Sequence, residues 1–342
     1  MKVPGRAGMT PGHTPGRPRG MTPAGLLLAE EIRRDGPVGF SRFMEVALYH
    51  PEHGYYRGAR NPFGAGGDFF TAEQIQPVFG ILMAARIRQL YREMGEPPDF
   101  TVVELGAGRG EMSSALAEWR YVPVDLDGGV LPERFRGIVF CNEFFDALPV
   151  NVAVYRGGQF LEQRVTFDGG RFQWQTGVRA NEELAAYFRR YWAPPEEGRW
   201  YEAGSKALSW LARIAAALED GYLFTIDYGF TRAESIRFPA GTLMGYRRHR
   251  AHDDVLIDPG ERDITAHVNF SALQEAGAAC GLRTERFETL AQTLLTAGEA
   301  DQFRAAMEPG GPAEELRLRM QLKTLLFGMG ETFRVLLQRR KR

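Results

Sequence analysis

Apolar residues recur at helical spacing along the first hundred positions. Leu26, Leu27, Leu28 and Ile32 alternate with Glu30 and Glu31, and Gly36-Pro37 marks a stop. Ser41 is placed to cap a second helix through Tyr49, ended by Pro51. A glycine-rich loop spans 54–67. Ile75, Val78, Phe79, Leu82, Met83, Ile87 and Leu90 then predict a long helix from Ala72 to Met94, closed by Gly95 and Pro97-Pro98.

Beyond residue 99 the period changes. Short apolar runs at Thr101–Leu105, Tyr121–Val124, Gly137–Cys141 and Tyr222–Ile226 read as buried strands. Helical patterns at Glu111–Trp119, Glu182–Tyr191 and Lys206–Leu218 alternate with them. Val150–Tyr155, Phe160–Phe167 and Arg171–Gln175, separated by glycine turns, read as antiparallel strands. Residues 229–268 are irregular and polar. A helix is expected at Phe270–Ala279, a strand at Arg283–Phe287, and helices from Leu290 onward, broken at Gly310-Gly311-Pro312. The alternation implies an α/β chain with a mostly parallel, helix-covered sheet.

Composition narrows the class. The 342 residues are 44% apolar, enough for a sizeable core. No apolar run approaches a membrane span of about 18 residues. Two cysteines, Cys141 and Cys280, exclude a disulfide framework and a four-thiolate zinc site. His249 and His252 beside Asp253 and Asp254, and His50 with His53, lack a thiolate, so no metal is expected. A soluble, cytoplasmic enzyme is the expectation. Residues 1–20 carry four basic groups, no acid and almost nothing apolar, and read as a disordered tail, with Met21 as an alternative start.

The candidate chemistry begins at V-E-L-G-A-G-R-G-E. Glu104 ends a strand, and Gly106, Ala107, Gly108 and Gly110 form a tight turn into the expected helix. A dinucleotide site would place its third glycine one residue later and would not be followed by Glu111. The acidic strand end suits the amino-acid cation of S-adenosylmethionine; a nucleotide site and a purely structural turn are the alternatives. Asp125, at the end of the next strand, is placed to hold ribose hydroxyls. The strand G-I-V-F-C-N then runs into Asn142-Glu143-Phe144-Phe145-Asp146, at the sheet edge where ligands of such folds bind. Glu143 and Asp146 can bind a cationic methyl acceptor and take its proton; the alternative is that the rings are core and the acids are solvated or capping.

The set of motifs resembles the MidA-like methyltransferases, the family that includes the mitochondrial complex I assembly-factor protein arginine methyltransferase. The matching stretches include 43–56 (F-M-E-V-A-L-Y-H-P-E-H-G-Y-Y), 67–72, 103–110, 142–150, 226–229, 241–249, 259–270 and 329–336, in the family's order. The resemblance implies a class I, Rossmann-like seven-stranded sheet, S-adenosylmethionine as cofactor, a helical N-terminal segment and added covering elements. In the mitochondrial branch it implies symmetric dimethylation of an arginine on a complex I subunit. The stretch 127–141 is shorter than the family's usual connection, so Asp127 is an alternative to Asp125 at the ribose.

Four regions follow: a basic tail 1–21, a helical segment with a lid loop 22–98, a methyltransferase core 99–288 with an insertion at about 229–268, and helical elements 289–342. Asp68 and Thr71 lie in the lid loop, where Thr71 either caps a helix or touches the cofactor. Asp227 follows a buried strand and either meets substrate, as a third catalytic residue, or satisfies local backbone. Arg247–Arg250 is a solvated run or a substrate contact, and Asp263, Thr265 and His267 belong to a cover with a polar role towards substrate. Four of the 42 basic residues lie in 1–20 and four in 339–342, where no acid lies. The remainder therefore holds 34 basic residues against 43 acidic, a balance of −9. Such a body fits an arginine-bearing protein segment better than nucleic acid. A homodimer is left open, as are a small-molecule acceptor and an assembly chaperone that binds the cofactor without turnover.

Overall fold

The computed structural model describes residues 21–57, 75–247, 250–308 and 311–341. The expected basic tail 1–20, Asp68, Thr71 and His249 lie outside the described residues.

In chain order, helix α1 (Pro23–Asp35) is capped by the Thr22 hydroxyl, which accepts from the Gly25 N–H. Strand β1 (Val38–Gly39) leads into α2 (Phe40–Tyr49), whose N-cap is Gly39 rather than the expected Ser41. A 3-10 turn covers Tyr55–Arg57. Helix α3 (Val78–Glu93) starts six residues later than its apolar spacing suggests, because Pro77 occupies the cap. Then come β2 (Phe100–Leu105), β3 (Arg120–Val124) and β4 (Phe135–Asn142). The segment β5 (Asn151–Arg156), β6 (Gln159–Asp168), β7 (Arg171–Arg179), α4 (Glu182–Tyr191), β8 (Trp200–Ala203) and α5 (Ser205–Ala217) separates β4 from β9 (Leu218–Phe230). Strands β10 (Met244–Arg247), β11 (Arg250–His252), β12 (Asp263–Thr265) and β13 (Val268–Asn269) follow, then α6 (Phe270–Ala279), β14 (Arg283–Thr289), α7 (Leu290–Glu299), α8 (Arg304–Met307), α9 (Pro312–Lys323) and β15 (Phe333–Arg340).

The main sheet has the order β14-β15-β9-β4-β2-β3, with β13 also on β9. Pairs among β3, β2, β4 and β9 are parallel, whereas β15 runs antiparallel to both β9 and β14. Side chains of successive residues go to opposite faces. Val102, Ile138, Phe140, Phe224 and Val335 meet α3 and α7 on one side. Val103, Val139, Leu223 and Leu336 meet α5 and α6 on the other. With both faces covered, the central strands are continuous apolar runs, as parallel strands require.

Two expectations are corrected. The segment after β2 is a chain of turns rather than a helix at Glu111–Trp119. Its bonds are Ser113 N–H to Gly110 C=O (3.0 Å), Leu116 to Met112 (3.0 Å) and Trp119 to Leu116 (3.2 Å). Met112 and Leu116 still enter the core beside α3. The C-terminal part 289–342 is not wholly helical, since β15 completes the main sheet.

The cover has its own cores. An antiparallel sheet, β1-β6-β5-β8 with β7 on β6, packs against α1 and α2 through Leu28, Phe40, Phe43, Met44, Val152 and Val165. The interval 229–268, expected to be irregular, contains a small sheet β11-β10-β12. Between β3 and β4 the connection 125–134 has no helix and opens with a tight turn, in which Asp125 and Gly128 pair backbone to backbone. Among the described residues no helix is long and apolar enough to cross a membrane.

Candidate active site

The ends of β2, β3, β4 and β9 open into a cavity of about 1120 Å3, walled also by α2, α5, β10 and β12. Its floor is the glycine turn. Gly106, Gly108 and Gly110 have φ of 72°, 52° and 76°, a region that disfavours side chains. A Cβ on Gly106 would lie 3.2 Å from the Phe144 ring. The Gly108 N–H donates to Asp125 Oδ2 at 2.8 Å, and Leu126 N–H to Asp125 Oδ1 at 2.6 Å. The Glu111 carboxylate folds back to accept from the Arg109 N–H at 3.0 Å. It thus fills an amide position that a phosphate would use.

At the end of β4 the backbone reverses through Glu143, whose φ is 50°. Non-glycine residues in this region are uncommon and cluster at functional sites. Two anchors hold the turn. The Glu143 N–H donates to the Ile226 carbonyl (2.9 Å), and Asp227 Oδ2 accepts from the N–H groups of Phe145 (3.1 Å) and Asp146 (3.4 Å). Asp227 Oδ1 accepts from the Tyr228 N–H at 2.9 Å. Asp227 is wholly buried, does not line the cavity, and holds the turn through these backbone bonds, which favours the local-backbone alternative over its expected catalytic role. Glu104, Ala107 and Gly110 likewise lie behind the wall; Glu104 accepts from the Tyr121 hydroxyl. Gly106, Gly108, Asp125, Asn142, Glu143 and Asp146 do face the cavity, as do Asp127, Thr265 and His267.

Asp146 is 4% exposed, and its Oδ2 accepts from the Tyr228 hydroxyl. Among the described residues, Asn142 Oδ1 has no hydrogen-bond partner and Asp146 Oδ1 no side-chain donor, while the Ala147 N–H lowers the Asp146 carboxyl. Burial pushes the Asp146 carboxyl up to about 6, against the opposing Tyr228 hydrogen bond. Burial and the charges of Asp146 and Glu143 push Asp227 up as well. His267 stands edge-on to Tyr228 (5.2 Å) and Phe238 (5.3 Å); burial lowers its imidazole to about 4, so the ring is neutral near pH 7.

Sequence reasoning missed the aromatic wall. Tyr49 donates to the Ala147 carbonyl (2.7 Å), Tyr56 donates to Asp263 Oδ1 (2.8 Å), and their rings stack at 5.6 Å. Tyr246 and Tyr228 complete this wall, and Trp210 lies opposite, edge-on to Phe144 at 5.3 Å. The available signal was a cluster of tyrosines at 49, 55 and 56 ending an otherwise apolar helix pattern.

Comparison with known proteins now bears on these features. A family model described as "Putative S-adenosyl-L-methionine-dependent methyltransferase" matches residues 116–288. A Burkholderia thailandensis protein whose crystal structure holds S-adenosyl-homocysteine is 33% identical, with a TM-score of 0.83 over 93% of this chain and 91% of that one. This chain belongs to that methyltransferase family. A native crystal structure from the same organism gives 32% identity and a TM-score of 0.79, over the same shares of both chains. The mitochondrial protein arginine methyltransferase NDUFAF7 homolog of Drosophila melanogaster is 25% identical over 315 residues, 74% of this chain and 70% of its own length. The human NDUFAF7 protein is 26% identical over 315 residues, 74% and 68% respectively. The MidA-like resemblance, the class I fold and the dependence of this methyltransferase on S-adenosylmethionine all stand.

The wall residues fit that cofactor. The glycine turn lets a ligand approach the backbone closely, and Asp125, fixed by two N–H groups, presents a carboxylate at the end of β3. Leu126, Val130 and Leu131 offer apolar surface beside it, and Asn142 Oδ1, unpartnered among the described residues, can accept a hydrogen bond.

Proposed function

We propose that this methyltransferase transfers a methyl group to a guanidinium nitrogen of a protein arginine. The mitochondrial relatives suggest a subunit of a complex I type respiratory assembly as substrate and symmetric dimethylation as product. The observation that carries the reading is the buried Asp146 carboxylate beside Glu143 at the cavity wall, with Asn142 Oδ1 unpartnered among the described residues. A buried acceptor of the latter kind costs about 1–3 kcal/mol when unsatisfied. A guanidinium brings five N–H donors in a plane and a positive charge.

Bound S-adenosylmethionine would supply an electrophilic methyl carbon on a sulfonium. Gly106, Gly108, Asp125 and Asn142 would hold it, with Glu104 behind the turn and Thr71 as a lid contact. Glu143 and Asp146 would orient the acceptor nitrogen for in-line attack, where alignment supplies much of the rate. Asp146, with its carboxyl near 6, is ionised at neutral pH and would take the proton that the nitrogen loses. The Tyr228 hydroxyl fixes its other oxygen and so its direction.

The experiment is a transfer assay with radiolabelled S-adenosylmethionine and purified complex I subunits, followed by amino-acid analysis. Label in methylarginine is expected. Label in lysine alone, or no label in protein, rejects the assignment.

A further inference from the structure

The wall built by α2, the Tyr55–Arg57 turn, β10 and β12 differs from the rest of the cavity. Its described lining residues are Glu45, Tyr49, Tyr56, Tyr246, Asp263, Thr265 and His267, without a lysine or arginine. The cations of the cavity lie elsewhere. Arg109 stands in the glycine turn, Lys206 and Arg213 stand on α5, where Arg213 covers the Trp210 ring at 4.0 Å, and Arg237 and Arg334 both pair with Glu234. The tyrosine wall is therefore an acidic and aromatic surface facing the glycine turn.

Its parts are fixed before any ligand arrives. Tyr56 is tied to Asp263, which is 2% exposed, and Tyr49 is tied to the Ala147 carbonyl in the turn that carries Asp146. The hydroxyl of Tyr246 makes no hydrogen bond among the described residues, and the ring is only half-buried. Tyr246 faces Asp263 across the β10–β12 register and shares the cavity wall with Asp146 and Glu143, and after burial the charges of these three carboxylates raise its hydroxyl. The same field reaches Tyr49 and Tyr56 from Asp263 and Asp146. At the same wall, the buried Asp146 Oδ1 has no side-chain donor among the described residues.

We propose that Tyr246, with Tyr56 and Asp263 behind it, is the specificity element for the acceptor, taking a planar guanidinium against the tyrosine face and rejecting the lysine ammonium. The inference rests on the proposed arginine reading and deepens it by naming what chooses the side chain. A guanidinium stacks flat on an aromatic ring while its edge donates to a carboxylate. An ammonium keeps its hydration and has no flat face, so it loses the stacking half of the interaction. The ring is then worth a modest factor in binding, roughly 5- to 30-fold.

The test measures binding and turnover separately. Protein saturated with S-adenosylhomocysteine is titrated with N-acetyl-arginine amide and with N-acetyl-lysine amide in a calorimeter. The arginine amide is expected to bind at least about fivefold more tightly. Tyr246→Leu should remove that preference, Tyr246→Phe should retain it, and S-adenosylhomocysteine affinity should be unchanged in both. With an arginine-containing protein substrate, Tyr246→Leu should raise KM about tenfold with kcat within a few-fold. Asp263→Asn should act in the same direction; should that buried substitution unfold the protein, the Tyr246 pair decides alone. Equal binding of the two amides by the parent protein, or an unchanged preference in Tyr246→Leu, overturns the inference. Arginine methylation with KM unmoved in Tyr246→Leu overturns it while leaving the proposed function standing. Lysine-only methylation removes the proposed function itself.

Discussion

Asp227 and Asp146 lie on either side of one turn and use their charge differently. Asp227 holds three backbone N–H groups and does not line the cavity, whereas Asp146 keeps one oxygen without a side-chain donor, among the described residues, at the cavity wall. Asp146→Asn preserves volume and an acceptor but cannot take a proton. We expect kcat to fall about 100-fold or more with S-adenosylhomocysteine affinity retained, read from single-turnover rates and calorimetry. In the parent protein, kcat/KM should rise with pH through about 6 as Asp146 ionises, and this acid limb should vanish in the variant. Glu202 offers a stability counterpart. Burial pushes its carboxyl up to about 7, although the Thr242 N–H and hydroxyl donate to it. The unfolded chain therefore releases this proton first. Stability is fully present below about 4.5, falls as pH rises, and levels off above about 7, a loss of about 3 kcal/mol. Urea midpoints at pH 5 and pH 8 should differ less in Glu202→Gln than in the parent protein.

Elements were legible in the sequence wherever burial and period agreed. β2, β4 and β9 are apolar runs covered on both faces, and the run alone announces them. In the segment after the glycine turn, the apolar spacing found the buried side chains, Met112 and Leu116, but not the hydrogen bonding. Positive φ at Gly106, Gly108 and Gly110 and the returning Glu111 carboxylate accompany a run of turns there. β15 was illegible because its apolar run, Val335–Leu337, is only three residues long and lies between Arg334 and the buried polar Gln338 and Arg339. That Gly106, Gly108, Asp125, Asn142 and Glu143 line one cavity was readable from local motifs, since glycines and acids sit at strand ends. The tyrosine wall was not, because Tyr56 and Asp263 are distant in the chain and meet only through the cover. A harder constraint lies where β4 crosses β9. Gly137 and Gly221 are paired, both at φ 146°, and a Cβ on Gly221 would stand 1.8 Å from the Gly137 oxygen. Gly221→Ala should cost about 3 kcal/mol or more, seen as a lowered urea midpoint.

On the scale of the whole molecule, the cavity is shared between the sheet and its cover. The short β3–β4 turn lacks a helix of its own, and Arg57 reaches across from the N-terminal segment to pair with Asp127 and to donate to the Leu126 carbonyl at 2.6 Å. Arg57→Ala should weaken S-adenosylhomocysteine binding about fivefold without abolishing folding, measured by calorimetry alongside a thermal melt. β15 has a different consequence. Thr332, Phe333 and Arg334 line the cavity, and the strand joins β9 to β14. A ribosome delivers this strand after every other strand of the sheet. Until then the nascent chain carries two facing, unsatisfied ladder edges, which are templates for wrong pairing. The pocket thus stays unfinished until β15 is made, and a premature stop codon before Phe333 would yield a chain that aggregates instead of a less active enzyme.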